Sequence, residues 1–179
     1  IVVSKPGNEP RPCFDARAIN KVTIPDGYPP HRMDSLFAKL RDCVVFTSLD
    51  AASGFYQIPI KEEDRHKTAF RTESGVYEFC VMPFGLINSP ATFTRWMTQS
   101  FQGLRDILQV YIDDMVVHSK VLSEHHNHLR KVFRRCQAHG IKLRLSKCEF
   151  LQEELNMLGY VIAKEGIKKN LDKIAPILE

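Results

Sequence analysis

Two adjacent carboxylates, Asp113 and Asp114, interrupt a run of β-forming residues at positions 110–117, and this pair constrains the fold more than any other feature. The residues on both sides are apolar, so the run predicts a β-hairpin with the acids at its tip. Apolar flanks predict burial, and two neighbouring carboxylates that leave water repel each other. A divalent cation would relieve that repulsion. The alternative is a polar turn without a ligand.

Composition excludes several classes of protein. A chain of 179 residues, 44% hydrophobic and 26% charged, can form one ordinary domain or two small lobes. No apolar run reaches the roughly 20 residues of a membrane span, so no membrane association is expected. The chain starts at Ile1 and is patterned at both ends. We therefore expect a segment of a longer polyprotein.

The cysteines indicate a reducing compartment. There are five of them and none has CxxC spacing, which argues against a disulfide framework and against a zinc site. Cys43, Cys80 and Cys136 lie among apolar residues, so we predict that they are small core residues. The histidines at 125, 126 and 128 lack a third partner at suitable spacing, and no metal site is expected there.

Basic residues are concentrated in one part of the chain. The net charge is +4, and residues 123–149 contain seven Lys or Arg against two acidic residues. A basic region beside an acidic tip suits a polyanion held near a metal ion. For residues 130–135 the alternative is a solvated helix face, and the sequence leaves this open.

The order of apolar patterns predicts an α+β fold in which helices pack on one face of an antiparallel sheet. Predicted strands cover residues 44–49, 68–72, 76–81, 110–117, 141–145 and 155–162. Predicted helices run from Asp34 as cap to Leu40, from Ser89 to Leu104 and from Ser123 as cap to Gly140, and residues 16–20 are a predicted turn.

Asp50 ends the first of the long predicted strands, where a carboxylate is costly without a partner. If Asp50 and Asp113 end on neighbouring central strands, their carboxylates converge. Such a group can hold two Mg²⁺ ions about 3.5–4 Å apart. The chain has no GxxxxGK[ST] loop and suggests no Ser-His-Asp or Cys-His arrangement, which argues against P-loop phosphoryl transfer and acyl transfer.

Two further segments are candidates for ligand contact. Lys5 and Arg11 flank a turn-rich loop and could clamp a triphosphate. The small residues at 51–54 would let the backbone approach a ligand, with Phe55 projecting at that place. The alternative for this second segment is a tight turn with aromatic packing.

Seven motifs in order resemble the reverse transcriptase domain of LTR retrotransposon polyproteins, closest to the gypsy type, and the resemblance covers essentially the whole chain. They are R-P-C-F-D-A-R-A-I-N-K at 11–21, F-T-S-L-D at 46–50 with S-G-F-Y-Q-I at 53–58, K-T-A-F at 67–70 with Y-E-F at 77–79, M-P-F-G-L-I-N-S-P-A-T-F at 82–93, Y-I-D-D at 111–114, K-C-E-F at 147–150 and L-G-Y at 158–160. Phe84 stands where retroviral enzymes carry Gln, which favours a retrotransposon. No expected carboxylate is missing.

The resemblance implies a role for each matching position. The implied catalytic carboxylates and ligands of two Mg²⁺ ions, with Mn²⁺ as a substitute, are Asp50, Asp113 and the more supporting Asp114. The implied nucleotide-binding residues are Lys5, Arg11, Tyr56, Phe84, Gly85 and Phe55, the last as the steric gate against a ribose 2′-hydroxyl. The implied primer and template contacts are Tyr111, Ile112, Lys147, Leu158, Gly159 and Tyr160.

The resemblance also implies the right-hand architecture of polymerases. Fingers would comprise residues 1–24 and 58–88, palm 25–57 and 89–163, and the start of the thumb 164–179, with an antiparallel palm sheet backed by helices. The implied activity is RNA-directed DNA synthesis: dNTPs are added to a primer 3′-hydroxyl by two-Mg²⁺ nucleotidyl transfer during retrotransposon replication. With little of the thumb present, we expect weak or undetectable activity from this segment alone.

The implied partners are an RNA or DNA template, a DNA or tRNA primer, dNTPs and the remaining Pol domains, namely thumb, RNase H and integrase. The implied location is the cytoplasm, inside virus-like particles, with nuclear access open. Two alternatives remain at this point. One is a domesticated or truncated domain that binds nucleic acid without catalysis, and the other is a two-metal nuclease.

Overall fold

The computed structural model describes residues 2–3, 11–12, 14–29 and 33–170 of the chain. The chain divides into two compact units, each built from two separate stretches of sequence. The first unit comprises Ile1–Pro29 and Ser53–Trp96, and the second comprises Pro30–Ala52 and Met97–Glu179. The fingers, palm and thumb boundaries remain predictions, because compact units are not the same as functional subdomains.

Helices and antiparallel strands alternate along the described residues. The helices are α1 (Arg17–Val22), α2 (Met33–Leu40), α3 (Glu62–Arg65), α4 (Ser89–Ser100) and α5 (Leu122–His139), with 3₁₀ turns at Gly54–Gln57, His66–Thr68 and Leu145–Lys147. The strands are β1 (Val2–Val3), β2 (Arg11–Pro12), β3 (Val45–Asp50), β4 (Phe70–Thr72), β5 (Gly75–Tyr77), β6 (Leu108–Tyr111), β7 (Asp114–Ser119), β8 (Glu149–Gln152), β9 (Glu154–Met157), β10 (Tyr160–Ala163) and β11 (Gly166–Lys169). The predicted α+β class is confirmed.

The first unit is organised around two small hairpins and the first part of α4. Strands β1 and β2 pair antiparallel, and β4 and β5 form the hairpin predicted around residues 73–75. Helix α4 buries Phe93 and has Pro90 in its first turn, as predicted, but it already includes Ser89, the predicted cap, and it ends at Ser100 and not at Leu104. The predicted turn at 16–20 is wrong, since α1 occupies most of it.

The second unit contains a four-stranded antiparallel sheet in the order β6-β7-β3-β8 and a three-stranded meander of β9, β10 and β11. Strand β3 is central, and its consecutive residues Val45–Thr47 are all buried, so both faces of the sheet are covered there, because successive side chains point to opposite faces. The core joins the sheet, α2 and the meander through Leu36, Leu40, Cys43, Phe46, Val116, Leu155, Met157 and Ile162.

The start of α2 differs from the prediction. Asp34 lies in the first turn of α2 and does not cap it, because the helix already includes Met33.

Helix α5 packs on β7 and buries His125, Val132 and Cys136. Its end is the one predicted, because Gly140 adopts φ +67° and its amide bonds back to carbonyls of the last turn. Its start is earlier than predicted. Ser123 lies in the first turn and Val121 occupies the cap position.

The predicted strand at 141–145 is wrong. Leu143 makes one isolated bridge to Ala51, and Leu145 is 70% exposed at the start of a 3₁₀ turn. The edge position beside β3 is taken by β8, which the sequence analysis did not predict.

Cys80 is also not a core residue but an exposed one, unlike Cys43 and Cys136. Within the described residues, every helix is too short or too polar to cross a bilayer.

Candidate active site

The predicted acidic hairpin is present in the second unit. Strands β6 and β7 pair so that Tyr111 lies opposite Asp114, which leaves Ile112 and Asp113 as a two-residue turn. Ile112 adopts φ +53°, a left-handed conformation that costs a β-branched residue about 1–3 kcal/mol. Backbone strain of this kind persists where the surrounding structure fixes it, often at functional sites.

Strand pairing brings the third carboxylate to the same edge. Asp50 ends β3 and lies opposite Asp114 in the antiparallel register with β7. The sheet therefore brings Asp50 to the same edge as Asp113 and Asp114, which lie more than sixty positions further along the chain. This meets the condition that the sequence analysis set for convergence of these carboxylates.

Asp113 is the electrostatic centre of this edge. Its Oδ1 atom is buried and has no hydrogen-bond partner. Burial raises the pKa of the Asp113 carboxyl, and the negative charges of Asp114 and then Asp50 raise it further. A buried, unpartnered carboxylate beside two like charges is destabilising unless a cation joins it.

The donor set fits a hard divalent cation supported by a substrate. Among the residues that the structure describes, no three or more His, Cys, Asp or Glu side chains form a ready-made metal cage. Mg²⁺ commonly uses one or two protein carboxylates and completes its coordination with water and substrate phosphates. The unpartnered oxygen of Asp113, with Asp50 close enough to raise its pKa, suits that mode of binding.

A basic segment is fixed beside Asp50 by backbone hydrogen bonds. The Arg144 amide donates to the Asp50 carbonyl at 2.9 Å, and the Ala52 amide donates to the Lys142 carbonyl at 2.9 Å. Lys147 follows at the exposed end of a 3₁₀ turn. Cationic side chains are therefore carried by the segment that pairs with the end of β3.

The predicted nucleotide-binding residues of the first unit form an aromatic cluster. Phe55 is 9% exposed, and its ring centroid lies 4.9 Å from that of Phe84 and 5.5 Å from that of Phe93. Tyr56 meets Phe84 edge to face at 5.4 Å. The segment therefore has the aromatic packing that the sequence analysis gave as the alternative, and contact with a ligand stays a prediction.

Gly85, also predicted to bind the nucleotide, adopts φ +106°. A Cβ atom placed there would lie 2.7 Å from the Phe14 carbonyl oxygen, so only glycine fits. Lys5 lies outside the described residues. Arg11 lies in β2, where the backbone alone is described.

The predicted primer contacts lie in the second unit around tight turns. Leu158 and Gly159 have φ values of +53° and +82° and form the two-residue turn between β9 and β10. Tyr111 and Leu158 pack against the core described above, and Tyr160 meets Phe37 edge to face at 5.1 Å.

A buried histidine network was missed by the sequence analysis. His125 Nε2 lies 2.8 Å from the Thr47 hydroxyl, and its Nδ1 lies 2.8 Å from the Ser119 hydroxyl. Ser119 Oγ also lies 2.7 Å from His128 Nδ1. The available signal was helical spacing, because position 125 shares a face with buried Val132. The network gives His125 and His128 a structural use.

A further buried histidine, His118, lies close enough to His128 and His125 for their charges to act on it. His118 Nδ1 is 3.3 Å from Cys43 Sγ, and its Nε2 is 3.2 Å from Gln109 Nε2. Burial lowers the pKa of His118 to about 4, with smaller contributions from His128, Lys39 and His125. The imidazole is therefore neutral near pH 7 and belongs to the interior of the second unit.

Comparison with known proteins agrees with this geometry. Residues 3–162 match the family described as reverse transcriptase (RNA-dependent DNA polymerase). The chain is 44% identical to a retrovirus-related Pol polyprotein from transposon 297 of Drosophila melanogaster, over 99% of this chain and 17% of the relative. For the Pol polyprotein from transposon gypsy of the same organism, identity is 35% over 94% of this chain and 16% of the relative. The chain thus spans less than a fifth of these curated relatives.

Solved structures give the same result. The foamy viral protease-reverse transcriptase in complex with double-stranded DNA matches with a TM-score of 0.91 and 28% identity, over 99% of this chain and 31% of that one. The same viral enzyme in complex with an RNA/DNA hybrid matches with a TM-score of 0.87 and 28% identity, over 99% of this chain and 24% of that one. The resemblance and the polymerase fold predicted from the sequence are confirmed, and the chain belongs to the reverse transcriptase family.

Proposed function

We propose that this chain carries the polymerase centre of an RNA-directed DNA polymerase of the LTR retrotransposon kind, which extends a primer 3′-hydroxyl with dNTPs. The observation that carries the proposal is the buried, unpartnered Oδ1 of Asp113 at a strained turn, with Asp50 and Asp114 at the same sheet edge. Membership of the reverse transcriptase family supports it.

In this proposal Asp50 and Asp113 hold Mg²⁺, and Asp114 supports them by its charge. When bound, two such ions would acidify the primer hydroxyl and steady the pyrophosphate that leaves. The carboxylates themselves would be held in place by the β3–β7 register, so little reorganisation is needed during the reaction. Mn²⁺ has similar oxygen preferences and would substitute.

The aromatic cluster would select the sugar. Phe55 would lie against the position of a ribose 2′-hydroxyl, with Tyr56 lining the sugar pocket, and Phe84 and Gly85 would line the nascent base pair. Lys5 and Arg11 would contact the triphosphate. Tyr111, Ile112 and Lys147 would lie near the primer end and the reaction centre, and the turn at 158–160 would grip the primer.

The proposed partners follow from the same reaction. They are an RNA or DNA template, a DNA or tRNA primer, dNTPs and the thumb, RNase H and integrase domains of a Pol polyprotein. The relatives are Pol polyproteins, and the solved neighbours hold double-stranded DNA or an RNA/DNA hybrid, which supports the choice of partners. We propose the cytoplasm, within virus-like particles, as the site of synthesis, with nuclear access open.

Primer extension by the polyprotein product that carries this chain tests the proposal, on RNA and DNA templates with Mg²⁺ and with a chelator. We expect Asp113→Asn to reduce extension by roughly a thousandfold or more, since a positioned carboxylate is removed. Asp106→Asn is the matched control, because Asp106 is an exposed carboxylate paired with Lys39 at 2.7 Å. Normal extension by Asp113→Asn would remove the catalytic assignment.

Nucleic-acid binding without catalysis is the second candidate. Residues 125–148 contain seven Lys or Arg and no acidic residue, and Arg130, Lys131 and Arg134 are exposed on α5. Tight binding of primer and template by a folded wild-type protein that never extends the primer would favour this candidate over the polymerase.

A further inference from the structure

The loop that carries Phe84 and Gly85 is held by the side chain of a residue far away in the sequence. Asn20, within α1, donates from Nδ2 to the Gly85 carbonyl at 2.8 Å. Its Oδ1 accepts the Ile87 amide at 2.9 Å. One side-chain amide therefore satisfies two backbone groups of the loop, the carbonyl of Gly85 and the amide of Ile87.

A second asparagine makes the reciprocal pair of bonds. Asn88 donates from Nδ2 to the Ile24 carbonyl at 2.9 Å, and its Oδ1 accepts the Asp26 amide at 2.9 Å. Asp26 in turn binds Arg95 of α4 at 2.8 and 3.0 Å. This second pair holds the segment after α1 and ties it to α4. Its two bonds go to the backbone at positions 24 and 26 and not to that of the Phe84–Gly85 loop.

The loop has no room to shift toward the segment that precedes α1. The backbone of Gly85 lies so close to the Phe14 carbonyl that a Cβ atom would come within 2.7 Å of it. The position of the loop is thus set by contact with Phe14 from one side and by the Asn20 bonds along its edge.

Aromatic contacts connect the Phe84–Gly85 loop to Phe55, the predicted steric gate. Phe84 immediately precedes Gly85, and its ring lies against both Phe55 and Tyr56. We infer that Asn20 is a positioning residue for the nucleotide pocket: by fixing the Phe84–Gly85 backbone, it sets the place of the Phe55 ring and so the affinity and sugar selectivity for dNTPs. The inference rests on the proposed function.

The decisive variant is Asn20→Asp in the polyprotein product that carries this chain. A carboxylate keeps the acceptor for the Ile87 amide but cannot donate to the Gly85 carbonyl, and it faces that oxygen with a negative charge. We expect KM for dNTPs to rise about tenfold while kcat changes less than about threefold, with misincorporation of ribonucleotides raised toward that of Phe55→Val.

Two matched variants separate positioning from general loosening. Asn88→Asp removes the reciprocal donor and should change KM less than about threefold, even if it lowers the melting temperature. Asn127→Asp makes the same charge change on an exposed position of α5 and should change neither quantity. If Asn20→Asp does not fold, Asn20→Ser removes the bridge without adding charge and should show the same KM increase.

An unchanged KM and unchanged sugar selectivity in a folded Asn20 variant would overturn the inference. An equal effect of Asn88→Asp on KM would overturn it as well, since the two amides would then act only through stability. If the wild-type protein itself fails to extend primers, the proposed function fails instead. Wild-type extension with an unaltered Asn20 variant removes the positioning role alone.

Discussion

The two ends of the paired strands β3 and β7 treat buried polar groups in opposite ways. At one end, Thr47 and Ser119 share hydrogen bonds with His125, and every one of these side chains has a partner. At the other end, where Asp50 lies opposite Asp114, the neighbouring Asp113 keeps a buried oxygen without any partner. The same two strands thus carry a satisfied polar network and an unsatisfied acid.

The difference separates stability from function. A buried group whose hydrogen bonds are complete contributes to a unique, well-ordered interior. A buried carboxylate left unpaired beside like charges costs stability, and natural proteins keep such groups where a ligand completes them. By this criterion the histidines hold the second unit together, and the aspartates are the group for which we propose a cation and a substrate.

The largest expected effect comes from Asp113→Asn, which should change activity and stability in opposite directions. Extension falls by roughly a thousandfold, as above. The free energy of unfolding at pH 7 should rise by about 1 kcal/mol, because a repelled, desolvated charge is removed. Urea unfolding measures this. A clear decrease in stability would mean that Asp113 has a structural partner, and the contrast between the two ends would disappear.

The cation adds a second readout for the same residue. With Mg²⁺ at about ten times its dissociation constant, the wild-type protein should gain about 1.4 kcal/mol of stability. Asp113→Asn should gain little, and Asp106→Asn should gain as much as the wild type. Equal stabilisation of all three proteins would place the Mg²⁺ elsewhere.

At the other end of the strands, His125→Ala should lower the free energy of unfolding by about 3 kcal/mol. The substitution removes a fully buried ring and leaves the hydroxyls of Thr47 and Ser119 without their partner. KM for dNTPs should stay unchanged in the folded fraction. His126→Ala is the control, since His126 is exposed on the same helix. Equal stability of the two variants would contradict a structural role for the network.

The two ends should also respond to pH with opposite signs. The folded-state pKa of His118 is depressed from 6.5 to about 4 by burial, with His128, Lys39 and His125 adding to the effect and Asp106 opposing it. The folded protein then binds fewer protons than the unfolded chain, so up to about 3 kcal/mol of stability disappears as pH falls from about 6.5 to 4. Unfolding as a function of pH, compared with His118→Gln, measures this decrease.

Asp113 provides the opposite slope. Its folded-state pKa is raised, so its contribution favours folding below the unfolded pKa and disappears as pH rises through the folded value. On the acid side, His118→Gln should therefore reduce the rise of stability with pH, whereas Asp113→Asn should increase it. Identical changes in the two curves would show that the ends do not differ electrostatically.

The smallest expected effect concerns the basic face of α5, for which the sequence left two interpretations. If this face binds nucleic acid, Arg130→Glu with Arg134→Glu should weaken binding and reduce the salt dependence of log K by about 1 for each phosphate that is no longer neutralised. If it is a solvated face, binding and its salt slope remain unchanged. Lys61→Glu, at an exposed lysine of the first unit, is the control for each single variant, which changes the net charge by the same amount.

The acidic hairpin and its partner strand could be predicted because their signals are local and mutually consistent. Apolar residues on both sides of Asp113 and before Asp50 have few alternatives to buried strands, and the apolar face of α4 has few alternatives to a helix. The strand predicted at 141–145 failed for the opposite reason. Its alternation was genuine, but only one bridge forms there, from Leu143 to Ala51, before the 3₁₀ turn at Leu145–Lys147 interrupts the extended backbone, and the pairing with β3 resumes at β8.

The sequence by itself indicated the family through its motifs, and it predicted that Asp50 and Asp113 would converge if they ended neighbouring strands. Only the tertiary structure decided which oxygen of Asp113 lacks a partner, that His125 lies between Thr47 and Ser119, and that Asn20 binds the loop at Gly85. These facts join residues that are distant along the chain. Their hydrogen bonds depend on register and packing to within an ångström, which no local pattern specifies.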